Sequence, residues 1–187
     1  VIEPLFLNEL YEDFEEAKAN KKKLEALLHR IQKIKIFDPA CGSGNFLIIA
    51  YKELRKLEMK ILKAGGMLSL SGISLSNFYG IELDDFAHEI AMLSLWLAEH
   101  QMHIEFFKEF GRANSTLPLK QAGYIVHGNA ARLDREKVCP KDNGDEIYIL
   151  GNPPYQGGGK QDETQKIDMG ITFHGIRGYK NLDYIAT

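Results

Sequence analysis

The chain has 187 residues, 44% of them hydrophobic and 26% charged, with a net charge of −3. That is the size and composition of one globular domain with a real core, which excludes disordered and collagen-like classes. The acidic balance lacks the basic face that phosphate binding ordinarily demands, so any contact with nucleic acid must rest on local surface or on other parts of a larger protein. No apolar run approaches the ~18 residues of a membrane span. The opening Val1-Ile2-Glu3-Pro4 is not a signal peptide. Two cysteines, Cys41 and Cys139, make no disulfide framework and point to a reducing, cytoplasmic setting.

In chain order, Leu5 to Lys33 has helical periodicity through Leu10, Phe14, Ala17, Leu24, Leu27, Leu28 and Ile31. The Lys21-Lys22-Lys23 run lies among glutamates and reads as a solvated helix face or a helix–helix turn. Ile34 to Asp38 is a short strand, and Phe46 to about Ala64 a helix closed by Gly65-Gly66. Leu68 to Asn77 connects to a second strand, Phe78 to Glu82. Asp84 or Asp85 caps the next helix, Phe86 to about Met102. Its nearly all-round apolar character predicts burial on more than one side. Residues 106–119 are less regular. Tyr124 to His127 and Glu146 to Leu150 are strands three and four, Gln156 to Lys160 a flexible loop, and Leu182 to Ala186 the start of a further helix. Strands alternating with helices predict an α/β fold: a doubly wound, mostly parallel sheet.

Three patterns carry chemistry. In Asp38-Pro39-Ala40-Cys41-Gly42-Ser43-Gly44-Asn45-Phe46 a strand runs through a glycine turn into a helix. Gly42 and Gly44 permit close approach of a ligand to the backbone, and the helix start offers free N–H groups. Neither a third glycine nor a Gly-Lys-Ser/Thr follows, so it is neither the dinucleotide nor the P-loop pattern. Asp38 would repel a pyrophosphate but welcome an ammonium group, such as that of S-adenosylmethionine. Glu82, at the end of strand two, suits a ribose diol. It lies 44 positions after Asp38, beyond the usual ~20, because the first helix and its connection are long. After strand four, Asn152-Pro153-Pro154-Tyr155 forms a rigid corner. The Asn152 side chain and the Pro153 carbonyl can accept from one amino group, and Tyr155 offers a stacking face.

Asp38 to Gly44 and Asn152 to Tyr155 resemble motifs I and IV of adenine-N6 DNA methyltransferases. The longer string Phe37 to Arg55, with Pro4-Leu5-Phe6-Leu7 and Leu95-Trp96-Leu97, resembles the MmeI-like branch found in bacterial restriction-modification systems. The resemblance implies a Rossmann-like S-adenosylmethionine-dependent fold, truncated, with residues 1–33 an N-terminal helical segment and 34–187 a partial catalytic domain without its target-recognition domain. It implies that Asp38, Pro39, Ala40, Cys41, Gly42, Gly44 and Phe46 bind the methionine end of the cofactor, Glu82 its ribose and Leu83 its adenine. Asn129 stands where many relatives carry Asp to contact the adenine amino group; its side-chain carbonyl can still accept that bond. Asn152, Pro153, Pro154 and Tyr155 would grip an adenine flipped out of double-stranded DNA. No metal is implied.

Other readings fit less well. A cytosine-C5 enzyme needs a nucleophilic Cys after a Pro, whereas Cys139 precedes Pro140 and Cys41 sits in the turn, where its size suits. Glu58-Met59-Lys60 hints at a nuclease, but an acid on a charged helix is ordinarily at the surface. His88-Glu89 lacks the second histidine of a zinc helix. A methyltransferase of RNA bases or protein glutamine, or a silent S-adenosylmethionine-binding scaffold, stays open as an alternative. The expectation for residues 1–187 alone is inactivity.

Overall fold

The computed structural model describes residues 2–67, 71–111, 123–152, 155–181 and 184–185. A π-helical turn, Glu3–Leu7, leads into α1 (Asn8–Ala17). The chain then breaks before α2 (Lys21–Ile31). The single helix expected over 5–33 is therefore two. Asn20 causes the break: its backbone is extended, and its side chain accepts from the N–H groups of Lys22 and Lys23 at 3.0 and 3.3 Å. That N-cap starts a new helix where the lysine run begins.

β1 (Lys35–Asp38), α3 (Asn45–Ala64), β2 (Phe78–Glu82), α4 (Asp85–Phe110), β3 (Tyr124–His127), α5 (Arg135–Val138) and β4 (Ile147–Ile149) build the sheet and its layers. The strands run in the order β3-β2-β1-β4, all parallel. One face carries α1 to α4 over a core that includes Leu10, Leu24, Ile36, Leu47, Leu54, Phe78, Leu95 and Ile125. The other face carries a smaller cluster, Phe37, Tyr79, Ile81, Ala130 and Cys139, beside α5. Alternation along β1 and β2 sends Ile36 and Phe78 to one layer and Phe37 and Tyr79 to the other. Arg30 fastens α2 to the start of β4, donating to both oxygens of Glu146 at 3.0 and 2.8 Å, to Asp13 at 2.6 Å and to Glu9 at 2.7 Å.

Four expectations need correction. α4 is buried on one side only: Ala91, Leu95, Ala98, Met102 and Phe106 face the core, while Leu93, Trp96, Leu97, Ile104 and Phe107 are exposed. It also continues to Phe110, because no breaker intervenes before Gly111, whose φ of 65° ends it. Glu58 is fully buried rather than at the surface. Its carboxylate accepts from Ser71, from the N–H groups of Gly72 and Ile73 at 2.8 and 3.3 Å, and from Gln32 at 3.2 Å, and pairs with buried Arg55 at 3.3 Å. Finally, Tyr184–Ile185 is a strand, β6, not a helix start. It pairs antiparallel with β5 (Tyr155–Gln156), which takes in the first residue of the stretch expected to be loop. Between them lies α6 (Glu163–Thr172), begun by the reciprocal capping of Asp162 and Gln165.

Candidate active site

The site forms where the chain reverses its winding. α3 and α4 cross on one face as the strands step outward from β1 to β3; the chain then returns past α5 on the other face to β4, beside β1. Ligands of open α/β sheets bind at such a switch point, beyond the C-terminal ends of the strands. Phe37 pairs with Ile149, and Leu150 N–H donates to the Phe37 carbonyl at 2.9 Å. That register sets Gly151 directly against Asp38.

Gly151 is necessary at this meeting point. A Cβ on it would stand 2.5 Å from Asp38 Oδ1, far inside van der Waals contact. Asp38 is itself fully buried. Its Oδ1 accepts from Ala40 N–H at 3.0 Å, while Oδ2 is buried and finds no hydrogen-bond partner among the described residues. Burial, opposed by the Ala40 bond and aided by the nearby charge of Glu82, pushes its carboxyl up to about 6. An unpaired buried carboxylate oxygen is costly unless a donor, preferably cationic, arrives.

The turn after Asp38 is open. Gly42 (φ 54°) has nothing within 4 Å of where a Cβ would be, and Gly44 (φ 81°) packs against Ala91 of α4. α3 starts from Gly44 with no side-chain cap, so its first-turn N–H groups are not taken by a capping side chain. Pro39, Ala40 and Phe46 are half-buried around this turn. Cys41 is buried, its Sγ 3.0 Å from where a Cβ on Gly80 would lie. Burial, with the charges of Asp38 and Glu82, pushes its thiol up to about 12, so it stays protonated and is no nucleophile. Glu82 does more than end its strand. Oε2 accepts Gly42 N–H at 2.7 Å and Oε1 accepts Asp84 N–H at 2.9 Å, so this carboxylate braces the glycine turn.

Leu83, next along, is exposed, and its carbonyl bonds the His127 ring at 2.9 Å. Asn129 follows β3 and is half-buried; its Oδ1 accepts Ala131 N–H at 2.8 Å and its Nδ2 donates to Asp168 at 2.9 Å. Asn152 is exposed at the end of β4. Pro153 and Pro154 lie outside the described residues; Tyr155 has its backbone in β5, paired with Ile185. The structure thus brings Asp38, the glycine turn, Glu82 and Asn152 to one end of the sheet. Gly151 and Asp168 were not singled out in the sequence: the need for the first depends on a strand neighbour over a hundred residues away, and the second sits in a helix with no motif. Asp85, His88 and Glu89 also bring ligand-type atoms within 4.8 Å of one another, but Asp84 and Asp85 are what an α-helix start favours without any ion.

A family model described as "MmeI, DNA-methyltransferase domain" matches residues 14–187. The chain belongs to the MmeI DNA-methyltransferase domain family. The resemblance to the MmeI-like branch is thereby borne out. Over the full chain it is 51% identical to DNA methyltransferase A of Bacillus subtilis (strain 168), covering 22% of that protein. Over 49% of the chain it is 42% identical to a putative type II restriction enzyme and methyltransferase of Methanocaldococcus jannaschii, covering 8% of it. The structure of the type IIL restriction-modification enzyme MmeI in complex with DNA superposes with a TM-score of 0.88 at 38% identity, over 98% of this chain and 25% of that one. This MmeI-family chain therefore spans about a quarter or less of the length of these relatives. No helix among its described residues is long and apolar enough to cross a membrane.

Proposed function

We propose that this domain binds S-adenosylmethionine and positions its methyl group for transfer to the N6 amino group of an adenine flipped out of double-stranded DNA, as the methylating part of a cytoplasmic restriction-modification enzyme. The observation that carries the reading is the juxtaposition at the β1/β4 switch point: a buried carboxylate oxygen of Asp38 lacking a donor among the described residues, an open glycine turn, and Gly151 packed on Asp38 so that the chain enters Asn152 at the same end of the sheet.

The residues fit the cofactor. Asp38 Oδ2 suits its ammonium, and the uncapped start of α3 its carboxylate. Glu82 has a lone pair left on each oxygen for the ribose hydroxyls. Exposed Leu83 suits the adenine face, and the Asn129 carbonyl its amino group. When bound, S-adenosylmethionine supplies an electrophilic methyl group. The protein's own work is on the nucleophile. Adenine N6 is weak because its lone pair is delocalised into the ring. Two acceptors, the Asn152 side chain and the Pro153 carbonyl, draw its N–H bonds out of the ring plane and localise that lone pair. Such fixed polar contacts and positioning account for most of the acceleration in reactions of this kind. Tyr155 replaces the stacking lost when the base leaves the duplex.

Duplex DNA and labelled S-adenosylmethionine, incubated with the protein at the length of its relatives, should yield N6-methyladenine on digestion. Label on cytosine, or on RNA or protein glutamine but not DNA, overturns the reading. Residues 1–187 alone, with net charge −3 and about a quarter or less of the length of these relatives, should not methylate at a specific sequence; robust site-specific methylation by this chain would contradict that.

A further inference from the structure

Asp168 has no part in the mechanism above, yet it is 1% exposed and gathers three donors from two separate segments, the turn after β3 and strand β6. Oδ2 accepts from Asn129 Nδ2 at 2.9 Å and from the Tyr184 hydroxyl at 3.1 Å; Oδ1 accepts from Arg132 Nε at 2.7 Å. Burial opposes its charge, but the bonds from Arg132, Asn129 and Tyr184 together hold its carboxyl below the usual carboxylate range. It is therefore an acceptor only at any working pH.

That fixes Asn129. One end of its amide meets a carboxylate, which cannot donate. The other end, Oδ1, meets Ala131 N–H at 2.8 Å, which cannot accept. Reversing the amide would oppose donor to donor and acceptor to acceptor at once. Its polarity is determined by the surroundings, and half of that determination comes from α6.

We propose that Asp168 is a specificity-determining positioning residue: by locking the Asn129 amide with its carbonyl presented as acceptor, it makes the domain select a 6-amino purine over a 6-oxo purine on its cofactor. The inference rests on the reading of Asn129 as the contact to the cofactor's adenine. A 6-amino group donates to that carbonyl, whereas a 6-oxo group presents an acceptor to an acceptor. In a site built to hydrogen-bond one of the two, the mismatched partner leaves buried polar atoms unpaired. An acid on α6 thus acts at the site through the amide of residue 129. Because Tyr184 lies in β6, paired with β5 at Tyr155–Gln156, the same carboxylate also ties the turn after β3 to the strand pair that carries Tyr155.

The test is the ratio of affinities for S-adenosylhomocysteine and its deaminated analogue S-inosylhomocysteine, by calorimetry on the chain. The wild type should prefer the adenosine compound by about tenfold or more, the scale of one hydrogen bond to a neutral partner. In Asp168→Asn, residue 168 can donate as well as accept, and the preference should fall to within about threefold. The exchange Asn129→Asp with Asp168→Asn restores one donor facing one acceptor, and should bring the preference back to about tenfold. A role in packing alone would weaken both compounds equally and leave the ratio unmoved in Asp168→Asn; that result overturns the proposal. Asn129→Ala separates the two inferences. If it keeps the wild-type preference, the reading of Asn129 fails and the proposal with it. If it loses the preference while Asp168→Asn keeps it, the proposal alone fails. Should Asp168→Asn not fold, the exchange variant decides: a lost preference there overturns the proposal.

Discussion

Asp38→Asn should make the ligand-free domain gain stability relative to wild type as pH rises, while weakening its hold on the cofactor. Asp38 is fully buried, and its carboxyl is carried from the ordinary 3.8 to about 6. Each tenfold change is ~1.4 kcal/mol, so keeping this carboxylate ionised at pH 8 costs up to about 3 kcal/mol relative to the unfolded chain. The folded-state value lies above the unfolded one, so the folded protein holds the extra proton between pH ~4 and ~6. Its stability contribution is complete below that window and is lost as pH rises through about 6. Asn has nearly the same shape, can accept from Ala40 N–H, and carries no charge to lose. Constant differences between the two side chains, including any unmet donor of the amide, cancel between pH values. The stability of the variant relative to the wild type should therefore improve by about 2.5 kcal/mol from pH 4 to pH 8, or roughly 5–10 °C in melting temperature for a domain of this size. Urea unfolding of both proteins at each pH measures it. On the functional side, the cofactor's ammonium loses a charged acceptor, and S-adenosylmethionine affinity should fall by roughly 10- to 100-fold. In the wild type that affinity should decline as pH drops below about 6, because Asp38 takes up its proton. A variant whose stability runs parallel to wild type across pH, or one that binds the cofactor normally, would refute the reasoning.

Glu82→Ala should weaken S-adenosylmethionine binding by roughly 1.5–3 kcal/mol in calorimetry, since a charged acceptor is lost and the N–H groups of Gly42 and Asp84 that it braces are released. Asn152→Ala should leave that affinity near normal and slow single-turnover methylation by roughly 100-fold or more, the effect of removing one fixed polar contact to a transition state. Gly151→Ala forces a methyl into Asp38 Oδ1. Both cofactor binding and thermal stability should drop, with overpacking of this kind costing ~1–3 kcal/mol. Glu58→Ala leaves buried Arg55 without its counter-charge and frees the N–H groups of Gly72 and Ile73. Removing one partner of a buried pair costs ~3–5 kcal/mol, so the purified variant should be largely unfolded by circular dichroism at 37 °C.

What the sequence determined by itself was local. A strand, a glycine turn and a helix follow from contiguous residues, because a glycine pair and an apolar period act over one or two turns of chain. The cap at Asp84 is legible for the same reason, and so is the parallel sheet, since alternating strands and helices leave few ways to wind. The tertiary structure decided what depends on distant neighbours. Glu58 reads as surface on its helix and becomes core only because the 71–73 backbone and Gln32 turn donors toward it. α4 is apolar enough to be buried all round, but which residues face inward is set by α3 and the sheet. Tyr184–Ile185 is too short to announce a strand, and becomes one by pairing with Tyr155–Gln156. Asp38 reads as an acid at a strand end. Its raised proton affinity, and the need for glycine at 151, arise only when parallel pairing lays β4 beside β1 and removes water from the carboxylate between them.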